Sequence, residues 1–61
     1  MTKGEYEALI DQAVRGQIMS MFGVLVLGLI AGDAHAEDNF QRGLSYLQRA
    51  ADVAFSKGPA E

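Results

Sequence analysis

The chain has 61 residues and no cysteine, is 49% apolar and 21% charged, and carries a net charge of −3. This excludes a disulfide scaffold and a disordered tail, and argues against a broad basic surface for nucleic acid. So short a chain forms one domain that buries only about 60% of its unfolded surface, and such domains usually draw on a disulfide, a metal or a second chain. With no thiol and one histidine, self-association or a partner is the expected source.

The first helix is expected over about 3–31. Thr2-Lys3-Gly4-Glu5 has the spacing of a capping box, in which the Thr hydroxyl accepts from the Glu amide and the Glu carboxylate returns to the Thr amide. Tyr6, Leu9, Ile10, Ala13 and Val14 follow at helical spacing, with Glu5, Ala8, Asp11, Gln12 and Arg15 on the other side. From Gly16 to Gly32 no residue is charged. Ile18, Met21, Val24, Leu25 and Gly28 extend the apolar face, whereas Met19, Phe22, Val26 and Ile30 fall where the first turns were polar. A helix apolar all round is either buried on every side or in a membrane. Gly16 and Gly23 are candidate bend sites, since each weakens the helix by about 1 kcal/mol relative to Ala. Val24-Leu25-Val26-Leu27 between glycines also suits a short strand, but a lone strand has no partner here, so helix is preferred.

A connection is expected at about 32–34. Gly32 suits the left-handed position that ends a helix, and Asp33 is a good N-cap for the next. The second helix, about 34–57, shows Phe40, Leu44, Leu47, Ala51 and Ala54 alternating by four and three residues, a narrow heptad-like seam. Asp38 and Arg42 form a favourable pair one turn apart. Lys57, Gly58 and Pro59 end the helix, leaving a tail at 58–61. The expected fold is all-α: a single-domain helical hairpin completed as a four-helix bundle by dimerisation.

The apolar run must also be weighed as a membrane or export segment. Ala34-His35-Ala36 has the form of a signal-peptidase site, but the run is preceded by Glu5, Glu7 and Asp11 rather than by a positive region. Its 17 uncharged residues include four glycines and fall short of the roughly 20 apolar residues of a comfortable span. Gly28 and Gly32 do have the spacing of close-packed membrane helices. A soluble, cytoplasmic chain with a buried interface is preferred to a single-span or exported peptide.

Candidate sites follow from the same faces. His35 beside Asp33, Glu37 and Asp38 offers metal-ligand types, but their spacing does not converge on one ion, and a solvated helix N-terminus explains them. No metal, no cofactor and no catalytic pair is expected, so the chain is not read as an enzyme. The stripe Met19, Phe22, Val26 and Ile30 stays wet in a lone hairpin, and burying it is worth about 6–10 kcal/mol before association costs. It is the expected self-association surface. Arg42, Tyr46 and Arg49 line up with His35 and Val53 on the outward side of the second helix. Arg and Tyr are residue types that anchor interfaces, or that clamp an anion and stack on a base.

In size, acidity and lack of catalytic groups, the chain is similar to the small inhibitor proteins that phages make against host defences, anti-CRISPR proteins included. The resemblance is one of type; it implies occlusion of a larger protein and assigns no residue. The leading expectation is thus a non-catalytic interaction module, an inhibitor or adaptor for a partner with a basic surface. Glu5, Glu7, Asp11, Glu37, Asp38, Arg42, Tyr46 and Arg49 are the candidate contacts. The alternative is a homo-oligomeric sponge that holds a small anionic ligand or nucleotide at Arg42, Tyr46 and Arg49.

Overall fold

The computed structural model describes residues 1–59; of the tail expected at 58–61, Ala60 and Glu61 lie outside the described residues. Two helices form an antiparallel hairpin: α1 at Lys3–Ile30 and α2 at Ala36–Lys57. The expected all-α hairpin is therefore the observed architecture.

α1 starts as its first residues dictate. The Glu5 amide donates to Thr2 Oγ1 at 3.1 Å, and the Thr2 amide donates to Glu5 Oε1 at 3.4 Å, so two amides left over by the first turn are satisfied. The helix then runs unbroken through Gly16 and Gly23. Twenty-eight residues span about 42 Å in a molecule 47 × 15 × 11 Å, which leaves no room for a sharp bend at either glycine.

The stop is a Schellman turn. Gly32 takes φ of 74°, its amide donates to Leu29 O at 3.2 Å, and the Asp33 amide reaches back to Gly28 O at 2.8 Å. Both bonds satisfy carbonyls that the last turn would leave open. This overturns the expected role of Asp33. Its backbone is committed to ending α1, so it cannot cap α2, whose N-cap is His35 with no side-chain cap bond. Asp33 Oδ1 instead accepts from the His35 amide at 2.9 Å, an Asx turn, and α2 begins at Ala36 rather than near residue 34.

The two helices meet along seams of half-buried side chains. From α2 come Phe40, Leu44, Leu47, Ala51 and Ala54; from α1 come Tyr6, Ile10, Val14, Ile18, Met21, Leu25 and Gly28. Leu9, Ala13 and Val24, expected on this face, are exposed instead, Val24 by 70%. One neighbouring helix shields only a narrow arc, and these three lie at its margins. At the turn end the backbones approach closely, since a Cβ built on Gly28 would stand 2.8 Å from Ala36 Cβ. Among the described residues, Ala36 is the one buried hydrophobic residue, at 5% exposure. At the open end, the Tyr6 hydroxyl donates to Ala54 O at 2.9 Å, tying the first turns of α1 to the last turns of α2.

The hairpin exposes more surface than its mass warrants. A folded monomer of 6.6 kDa ordinarily shows about 3,900 Å², and this chain shows 4876 Å². Its radius of gyration is 14.4 Å, against about 10.5 Å for a chain of this length.

Candidate functional site

Between Gly16 and Ile30, α1 presents apolar or small side chains around most of its circumference. On one flank Met19, Phe22, Val26 and Ile30 are exposed by 75, 51, 50 and 78%. Phe22 differs from the other three. Its ring lies 5.1 Å from that of Phe40, tilted by 43°, so half of it already belongs to the hairpin seam and half faces outward. Leu29 continues this flank and is also exposed. The remaining side of the stripe has no covering element among the described residues.

The opposite flank is a groove. Gln17, Ser20, Val24, Leu27 and Ala31 follow one another at three- or four-residue spacing along α1, and Asn39, Gly43, Tyr46 and Ala50 do the same along α2; together they bound an open hollow of about 800 Å³. Small residues recess its floor on the α2 side, while Val24, Leu27 and Tyr46 stand exposed as its rims. Leu27, Leu29 and the groove itself had one signal in the sequence, the absence of any charge between Gly16 and Gly32.

The outer face of α2 gathers Arg42, Tyr46 and Arg49 around a second hollow of about 370 Å³, with Ser45 as a fourth member that spacing alone did not single out. Tyr46 bounds both hollows, so it stands on the ridge between groove and outer face. Arg42 Nη2 lies 3.2 Å from Asp38 Oδ2, both exposed. Such a pair is worth at most about 1 kcal/mol, so the guanidinium can swing to a better partner. Among the described residues, Arg49 has no carboxylate within ion-pair distance.

The acidic candidates do not form one patch. Glu5 is engaged in the capping box, and Asp11 Oδ2 holds Arg15 Nε at 3.0 Å. These and Glu7 lie beside the end of α2, where Tyr6 reaches Ala54. Glu37 and Asp38 sit in the first turn of α2, about 24 Å away along its axis. Asp33, His35, Glu37 and Asp38 are exposed, and among the described residues no three His, Cys, Asp or Glu side chains gather in one place.

By length and composition α1 also qualifies as a membrane-crossing helix, and none of its most apolar stretch is buried. Comparison of the chain with protein families, with characterised proteins and with solved structures gives no match.

Proposed function

We propose that the protein is a non-catalytic helical interaction module that works as a self-associated bundle and occludes a larger protein partner. The observation that carries this is the surplus of about 1,000 Å² over an ordinary monomer of its mass, together with the exposed Met19, Phe22, Val26 and Ile30 of α1. A stable interface removes about 800 Å² per partner, so the surplus is of the size that a second hairpin would cover. Pairing along Met19, Phe22, Val26 and Ile30 makes a four-helix bundle and leaves the outer face of α2 free. There Tyr46 and Arg49, rigid or planar and unencumbered, are the anchors for a partner. The net charge of −3 favours approach to a basic surface.

Two other readings have an observation each. The hollow of Arg42, Ser45, Tyr46 and Arg49 suits a small anion, which makes a nucleotide-binding oligomer the second reading. The apolar length of α1 suits a membrane span. Against the latter, α2 lies along α1 from Ala36 to Ala54 and carries Asp38, Arg42, Arg49 and Asp52 on its exposed side. α1 cannot enter hydrocarbon without shedding α2 or dragging those charges in.

Light scattering on detergent-free protein should give a discrete oligomer, and Val26→Asp should at least halve its mass; a wild-type monomer would overturn the proposal. Tyr46→Ala and Arg49→Glu should each lower partner capture at least 10-fold without changing that mass. Undiminished capture by both variants would move the contact off this face. A thermal shift with nucleotides that vanishes in Arg49→Glu would favour the anion-binding reading instead.

A further inference from the structure

We infer that the hollow of Arg42, Ser45, Tyr46 and Arg49 takes one nucleoside monophosphate per chain, a phosphate monoester joined to a flat, uncharged ring. This deepens the anion-binding reading above and rests on that hollow, not on self-association. All four lining residues belong to one helix of one chain, so the site is complete in a single hairpin.

The charges on this face select a monoester. Among the described residues, Arg15 is held by Asp11 and Arg42 by Asp38, whereas Arg49 has no carboxylate at ion-pair distance. Arg42 and Arg49 are two turns apart on nearly the same line of α2, their Cα atoms about 10 Å apart along the axis, so two long side chains can close on one phosphate above Ser45. Arg42 is freed easily, since its pair with Asp38 is exposed on both sides and weak. The Ser45 hydroxyl donates to Gln41 O at 3.2 Å, an oxygen that the helix already bonds, so its proton can turn to the ligand. A phosphate monoester carries a charge of about −2 at neutral pH, which the two guanidinium groups neutralise. A second phosphate would find no further cation and would stand closer to Asp38 or Asp52, which close the two ends of the cationic stretch.

The side on which the rest of the ligand lies follows from helical phase. At about 100° per residue, Ser45, Asp38 and Asp52 fall on one side of the line from Arg42 to Arg49, and Tyr46 falls on the other. The Tyr46 side is free of charge, with Asn39, Gly43, Ala50 and Val53 around it. Tyr46 itself is 70% exposed, a ring on which a base can stack.

The test is a titration of the full chain at physiological ionic strength, followed by its backbone amide shifts in NMR. The probes are adenosine monophosphate, magnesium-free adenosine triphosphate, ribose 5-phosphate and inorganic phosphate. The monophosphate should bind about 10-fold more tightly than ribose 5-phosphate, and the triphosphate no more tightly than the monophosphate. Arg49→Gln should weaken the monophosphate at least 10-fold. Asp38→Asn should tighten it about three-fold, because Arg42 is released and a negative charge removed. Tyr46→Ala should erase the preference over ribose 5-phosphate, and Tyr46→Phe should restore it. Circular dichroism checks that each variant stays helical, as expected at exposed positions. Equal affinity for the monophosphate and ribose 5-phosphate, or tighter binding of the triphosphate, overturns this ligand class while the anion-binding reading survives. No binding of any probe overturns both.

Discussion

Gly28→Val is expected to force the helices apart at the turn and to lower stability by about 3 kcal/mol, near the upper end of what overpacking usually costs. A Cβ at this position meets Ala36 Cβ at 2.8 Å, Ala36 Cα at 3.7 Å and Asp33 Cβ at 3.9 Å. None of these atoms can rotate away, because each sits on or next to the backbone. The Schellman turn fixes that backbone further, through the bond from the Asp33 amide to Gly28 O. Gly43 is the control. A Cβ there meets Met21 Cε at 2.7 Å, the end of a flexible side chain that can swing clear, and the gain in helix propensity is about 1 kcal/mol. Gly43→Ala should therefore stay within about 1 kcal/mol of the wild type. Urea unfolding at one fixed protein concentration measures both, since the self-association proposed above would make stability depend on concentration. Equal midpoints for Gly28→Val and the wild type would show that the close approach does not hold the hairpin together.

Phe40→Ala should cost about 2–3 kcal/mol, less than the 3–5 kcal/mol of a fully buried Phe because the site is half-open. Phe40 is the largest side chain on the α2 seam, and its ring is the one that holds Phe22. Part of the loss should thus appear as coupling between the two. A double-mutant cycle with Phe22→Ala should return about 0.5–1.5 kcal/mol, the range for paired aromatic rings. Strict additivity would mean that the rings are neighbours without an energetic link.

What could be read from the residues alone was whatever depends on near neighbours. The capping box at Thr2 and Glu5, the left-handed Gly32, the Asp38–Arg42 pair and the seam from Phe40 to Ala54 each follow from spacings of a few residues. α2 was especially legible because its apolar positions occupy one narrow stripe, which leaves no choice of inward face. α1 offered no such contrast. Between Gly16 and Gly32 every direction is apolar or small, so periodicity could not tell Val24, which faces out, from Leu25, which faces in. That choice is made by where α2 lies, and hence by the turn. Asp33 failed for a related reason. Two good local rules competed for one residue, and finishing α1 took precedence over starting α2. The cluster of Arg42, Tyr46 and Arg49 was visible from helical spacing, but the groove was not, because it requires two helices side by side.

Under the proposed self-association, the tight turn between Ile30 and Ala36 also divides the protein's formation into two events with different kinetics. Most contacts of a two-helix hairpin lie within its helices, a low-contact-order topology that folds in microseconds to milliseconds. Meeting another copy is second order and slows as the protein becomes scarce. A newly made hairpin therefore spends its first moments complete in backbone yet bare along α1, for a time set by how many copies already surround it. At low abundance that interval lengthens, and proteases and chaperones, which act on exposed apolar chain, gain access to it. The amount of active protein should then rise more steeply than its rate of synthesis, giving a small chain a threshold without any dedicated regulatory part.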